Sequence, residues 1–165
     1  MSTPLYQAAE VLDMAIQVEE DGIAFYTGCA ATRASEELAE LFEFLADQER
    51  LHIKVFTEMK QGLSEYSLPE GYPGQTESYI ASLVEDRVFP SDGDRMCTPE
   101  EITDEMDAIR IALGMEKSSI LFYSGIKDMV RESEQGVIDD VIAEEREHIR
   151  RLLSLRHSLE SARNQ

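Results

Sequence analysis

The stretch Ile138-Asp139-Asp140-Val141-Ile142-Ala143-Glu144-Glu145-Arg146-Glu147-His148-Ile149 decides the fold. Ile138, Val141, Ile142, Ile149 and Leu152 recur at helical spacing and define one apolar stripe. Glu145 and His148 are three residues apart, so their side chains point the same way, into that stripe. A carboxylate and an imidazole on a buried face are costly unless something compensates them. The rest of the chain is expected to supply that compensation.

Working back toward the N-terminus, the same kind of stripe appears three more times. Thr3-Pro4 opens a helix expected over about 4–31, with Leu5, Ala8, Leu12, Ala15, Ile16, Ile23, Tyr26 and Ala30 on one face and Glu19 among them. Ser35, followed by Glu36 and Glu37, starts a second helix expected over 35–61, where acids suit the N-terminal dipole. Its stripe is Leu38, Phe42, Leu45, Ile53 and Phe56, with Glu49 and His52 in the middle and Gln61-Gly62 at the end. Thr98-Pro99-Glu100-Glu101 reads as a capping box for a third helix, expected over 99–130. Met106, Ile109, Ala112, Leu113, Ile120 and Tyr123 mark its inner face, and Glu116 lies on it. After a turn at Arg131–Gln135 the fourth helix is expected over 134–161. Residues 63–98 hold three prolines and three glycines and read as a long connection carrying one short helix at about 76–88. Four long amphipathic helices with one long crossover predict an all-α, antiparallel four-helix bundle in a single domain.

The two halves repeat each other. Glu19, with Phe25-Tyr26 after it, is answered by Glu116, with Phe122-Tyr123 after it, and Glu49-Arg50-Leu51-His52 by Glu145-Arg146-Glu147-His148. Glu19 precedes Glu49 by 30 positions and Glu116 precedes Glu145 by 29. In a chain with 23 glutamates a lone Glu-x-x-His is a weak signal. Two of them, each on a helix that follows a helix with an inward glutamate, form a helix-pair duplication. A set of surface i,i+3 contacts would leave unexplained why all six groups fall on apolar faces.

The chemistry suits that arrangement. Two divalent ions a few ångströms apart carry four positive charges, which four glutamates match, and two of the carboxylates can bridge. One glutamate from each of two helices and Glu-x-x-His from each of the other two is the ligand set of a carboxylate-bridged di-iron or di-manganese bundle. Oxygen and imidazole donors suit iron or manganese, with zinc also able to occupy them.

On these residues the chain resembles the ferritin-like superfamily, and most closely the rubrerythrin family, over nearly its whole length apart from 63–98. The resemblance implies two iron ions held by Glu19, Glu49, His52, Glu116, Glu145 and His148. Glu19 and Glu116 would be bridging or terminal carboxylates, and Tyr26 and Tyr123 hydrogen-bond donors beside the site. It implies oxygen, peroxide and Fe(II) as small-molecule substrates, and a homodimer. The chain departs from rubrerythrins in two ways. It has no Cys-x-x-Cys pairs for a rubredoxin-like iron site, so electrons are expected from a separate donor protein. The extra glutamate one turn after the third-helix ligand is replaced by Ser119, with Gly22 at the matching place, leaving six protein ligands instead of seven.

Composition limits the partners. The chain has 165 residues, 15 basic and 34 acidic, for a net charge of -19. That excess argues against nucleic acid or an anionic membrane as partner. No secretory signal or spanning run is visible, and Cys29 and Cys97 are too few for a disulfide framework, so cytoplasm is the expected location. Cys29 falls on the inner stripe as a small core residue. His157 falls on the opposite face of its helix from His148, and Glu20 and Glu144 sit about a hundred degrees from the ligand face, either as outer-shell neighbours of the ligands or, the favoured reading, on a solvated face. Three functions stay open on the sequence: a di-iron oxidoreductase, an iron-binding or storage protein using the same centre, and a metal-free helical interaction module.

Overall fold

The structure, a computed structural model, describes residues 8–32, 35–63, 102 and 104–164. Among them are four α-helices and no strand: α1 (Ala8–Ala31), α2 (Glu36–Gln61), α3 (Glu105–Ile126) and α4 (Glu132–Arg163). A single 3-10 turn, Lys127–Met129, separates the last two. The expected helix at 76–88, the Thr98–Glu101 box and the start of the first helix near residue 4 lie outside the described residues.

The helix ends follow from local chemistry. Ser35 caps α2, its hydroxyl accepting from the Leu38 N–H at 3.3 Å, with Glu36 and Glu37 in the first turn and Lys60 in the last. Asp104 caps α3 by accepting from the Met106 N–H at 3.0 Å. That bond, together with Arg163, holds the Asp104 carboxyl below the usual range. The third helix therefore begins at Glu105 rather than near 99, because the aspartate offers the acceptor that the first turn needs. Its α-helical geometry stops at Ile126, short of the expected 130, where the backbone tightens into the 3-10 turn. The fourth helix starts at Glu132, earlier than 134, with Glu132 and Glu134 in the turn where the dipole favours acids, and it runs on to Arg163.

Contacts between helix ends fix the topology. Ser35 N–H donates to the Glu105 carboxylate and Arg163 pairs with Asp104 at 2.9 Å, so α2 and α3 begin where α4 ends. At the other end Lys60 pairs with Asp13, Lys127 with Asp139, and Arg131 donates to the Gly62 carbonyl. The helices α1 and α2 are thus antiparallel, as are α3 and α4, and the chain leaving α2 joins opposite ends of the bundle on its way to α3. Packing is extensive within each pair, α1 with α2 and α3 with α4, and sparser between α1 and α3 and between α2 and α4.

The core is a ladder of one or two inward residues per turn. In α1 it is Val11, Leu12, Ala15, Val18, Phe25, Tyr26 and Cys29, all buried. Phe42, Leu45 and Phe56 of α2 face Ile109, Phe122 and Tyr123 of α3 and Ile138 and Leu152 of α4 in the same buried cluster. Ile16, Ile23, Ile53 and Ile120, expected inside, are only half-buried, because the helix turns Val18, Phe25 and Phe122 inward instead. Fully burying side chains of this size is worth about 1.5–3 kcal/mol each relative to exposure. That apolar shell is what lets the bundle hold a polar centre.

Candidate metal centre

Six polar side chains sit at the middle of that core, one from each of α1 and α3 and two from each of α2 and α4. Glu19, Glu49, His52, Glu116, Glu145 and His148 are each no more than 3 % exposed. Glu49 and His52 face inward together because they are three residues apart on α2, and Glu145 and His148 do so on α4. The structure brings all six sequence-predicted site residues to one place.

The four carboxylates do not have equivalent positions. Glu49 presents Oε2 to His52 Nδ1 at 3.1 Å and Oε1 to His148 Nδ1 at 3.6 Å. Glu145 presents Oε1 to His52 Nδ1 at 3.3 Å and Oε2 to His148 Nδ1 at 3.0 Å. Each of these two glutamates thus turns one oxygen to each histidine. Glu19 approaches His52 alone, at 3.4 Å, and Glu116 approaches His148 alone, at 3.5 Å. The imidazoles stack with centroids 5.9 Å apart.

Two sets of donors result, Glu19, Glu49, His52 and Glu145 in one, and Glu49, Glu116, Glu145 and His148 in the other. Within each set one ligand atom per residue lies within 4.8 Å of all the others. Atoms on opposite sides of a first-row ion are separated by roughly 4 Å, so small adjustments would seat an ion in each set. Glu145 Oε1 is buried, and its contact with His52 Nδ1, at 3.3 Å, falls short of a well-formed hydrogen bond, which leaves the kind of acceptor that a cation would satisfy. The donor chemistry, oxygen with imidazole, is that of iron or manganese sites.

The electrostatics of the cluster favour a compensating positive charge. Burial pushes the Glu49 and Glu145 carboxyls well above the usual range, and neighbouring carboxylates, Glu19 for the first and Glu116 for the second, push further. Burial opposes charge on His52 and His148, yet both imidazoles are raised, His52 chiefly by hydrogen bonding to Glu145 and Glu19, His148 by Glu116. Burial also works against the charge of Glu116, but hydrogen bonds with Glu145, His148 and Tyr26 bring its carboxyl below the usual range. Without a cation, protons must supply the positive charge.

The tyrosines cross between halves. Tyr26 of α1 donates to Glu116 Oε1 of α3, and Tyr123 of α3 donates to Glu19 Oε1 of α1. Burial, followed by the nearby carboxylates, raises both phenols well above their usual value, so they stay protonated and remain donors. Phe42 lies against Tyr26 and Phe56 against Tyr123, each with ring centroids 5.2 Å apart, walling the centre from water. Ser119 and Gly22, one turn after Glu116 and Glu19, are buried and add no carboxylate. A Cβ on Gly22 would meet Glu49 Cγ at 3.6 Å, ordinary contact, so the glutamate packs over bare backbone there.

Of the two glutamates beside the ligands, Glu144 takes the outer-shell place. Its side chain is half-exposed, yet its Oε2 lies 2.7 Å from His52 Nε2. Angle around the helix favoured solvent over the outer shell for it. The contact arises from the register of α4 against α2, which no single-helix pattern encodes. Glu20 and His157 are exposed, as expected of solvated groups, and Cys29 is buried in the core and forms no disulfide among the described residues. Cys97 lies outside the described residues.

Comparisons with known proteins agree with this geometry. A search of curated proteins finds no significant match. A Thermotoga maritima protein, its crystal structure provisionally described as that of a ferritin-like diiron-carboxylate protein, superposes with a TM-score of 0.64 at 26 % identity. The match covers 94 % of this chain and 98 % of that one. The profile of the rubrerythrin family matches residues 10–156. With a ferritin-like four-helix bundle around a buried carboxylate and histidine cluster suited to a di-iron site, the chain belongs to the rubrerythrin family.

Proposed function

We propose that this protein is a di-iron oxidoreductase that oxidises Fe(II) or reduces peroxide or oxygen at the centre formed by Glu19, Glu49, His52, Glu116, Glu145 and His148. The observation that carries this reading is the arrangement of Glu49 and Glu145, each offering one oxygen to each histidine side. Glu49 and Glu145 would serve both ions, Glu19 with His52 would complete the hold on one, and Glu116 with His148 the hold on the other. Two bound ferrous ions supply two electrons, which with two protons convert hydrogen peroxide to two molecules of water. The chain's own part is to hold the set rigid and dry. Tyr26 and Tyr123 fix the orientation of the terminal carboxylates by donating to Glu116 and Glu19. The aromatic wall keeps bulk water from competing. Electrons return from a separate donor protein, and the working unit is a homodimer.

Stopped-flow mixing of Fe(II)-loaded protein with peroxide, and separately with oxygen, tests the reading. Oxidation faster than that of free Fe(II), with about two iron ions per chain, is expected. Glu49→Ala, which removes a ligand common to both sides, is expected to abolish both the second ion and the fast phase. Wild-type rates no faster than free iron, with both ions bound, would sink the catalytic claim.

A further inference from the structure

The two sides of the centre are related by the repeat but are not held alike. His52 and His148 both direct Nδ1 at the carboxylates, which leaves Nε2 pointing outward. At His52 that nitrogen lies 2.7 Å from Glu144 Oε2. Nε2–H donates to this carboxylate, which places the Nδ1 lone pair toward Glu19, Glu49 and Glu145 and fixes the ring's rotation. At His148 none of the described residues hydrogen-bonds Nε2. The repeat explains the difference. Glu144 precedes Glu145, and the residue preceding Glu49 is Gln48, a neutral amide that makes no hydrogen bond to His148.

We propose that the two ion subsites are unequal, and that Glu144 is a positioning residue that makes the Glu19, Glu49, His52 and Glu145 subsite the tighter one for a divalent cation. The inference rests on the two-ion reading of the centre. An imidazole whose outer N–H donates to a carboxylate is a more basic ligand, and removing such a partner typically weakens metal affinity 10- to 100-fold. The Glu144 carboxylate also adds a negative charge just beyond His52, with nothing equivalent beyond His148 among the described residues. The first cation to bind therefore goes to the His52 side, and a preparation short of metal holds single ions there.

Simple stepwise binding would not prove this, since repulsion between two cations separates the steps even for equal subsites. The test isolates each side. Metal-free full-length protein is titrated with Mn(II), followed by calorimetry and by the electron paramagnetic resonance signals of single and coupled ions. In a His148→Ala background, which leaves the His52 subsite to bind alone, Glu144→Gln is expected to lower Mn(II) affinity at least tenfold. In a His52→Ala background the same substitution is expected to change affinity by less than about twofold. Gln48→Glu in the His52→Ala background supplies the missing carboxylate and is expected to raise affinity there. Equal losses in both backgrounds, or none in either, would overturn the inequality while leaving the two-ion centre standing. Wild-type protein that binds fewer than two Mn(II) ions, with no coupled signal, would overturn both.

Discussion

Tyr26 and Tyr123 each reach from one half of the chain to the inward glutamate of the other. Replacing Tyr26 by phenylalanine keeps the ring against Phe25 and Phe42 and removes only the donor to Glu116. Glu116 is then free to rotate away from His148. We expect Tyr26→Phe to lower Mn(II) or Fe(II) affinity roughly 10- to 100-fold without loss of helical content, measured by calorimetric titration and circular dichroism. An unchanged affinity would reduce the tyrosine to packing. At this scale the sequence was most legible where one rule governed the residue. Glu-x-x-His on an apolar stripe can point only inward, so Glu49, His52, Glu145 and His148 were visible from spacing alone. Which carboxylates are shared between the two sides, and that Glu144 meets His52, depends on how one helix slides along another. Periodicity within a helix is silent on that.

The helices themselves tolerate change where they face neither the centre nor the apolar core. Gly114 in α3 and Gly136 in α4 lie in helix interiors, and a Cβ added at either meets nothing within 4 Å. Alanine there removes the extra backbone entropy of glycine without a clash, worth about 0.5–1 kcal/mol each. The double variant Gly114→Ala/Gly136→Ala is expected to melt several degrees higher by calorimetry, with metal content unchanged. A lower melting temperature would show that one of these glycines has a role beyond the helix backbone. Element boundaries were the least legible level. Ser35 followed by two glutamates announced the start of α2, and its hydroxyl does cap that helix. The start of α3 was expected at Thr98-Pro99, outside the described residues, while Asp104 caps the helix that runs from Glu105 and has Arg163 to hold it. The inner faces were read correctly in register but a residue off in places. Isoleucines drew attention that belonged to Phe25 and Phe122, since hydrophobicity alone does not say which of two neighbouring apolar residues turns inward.

Across the whole molecule, the six central groups make stability depend on pH in a predictable direction. Without metal, His52 and His148 are raised above their ordinary value of 6.5, so their contribution is full below that pH and is lost as pH rises toward the folded-state values. Glu49 and Glu145, raised from 4.5, hold protons in the folded chain that the unfolded chain has already released, so rising pH weakens the fold through them as well. Glu116, lowered from 4.5, acts oppositely, but its stabilising effect is complete well below neutrality. Chelator-treated protein should therefore lose melting temperature steadily from pH 6.5 to about pH 9. Metal-loaded protein, in which cations replace those protons, should show a shallower slope. A flat profile for the metal-free form would contradict this assignment of protons. One further consequence comes from where the centre lies. Each helical hairpin packs mainly on itself, and the meeting of α1 with α3 and of α2 with α4 is the thinner seam. The six clustered side chains straddle that seam, and each proposed ion would take donors from both hairpins. Occupancy and cohesion are then one linked equilibrium. Whatever an ion adds to the grip between hairpins, a force that parts the hairpins subtracts, by the same factor, from the grip on the ion.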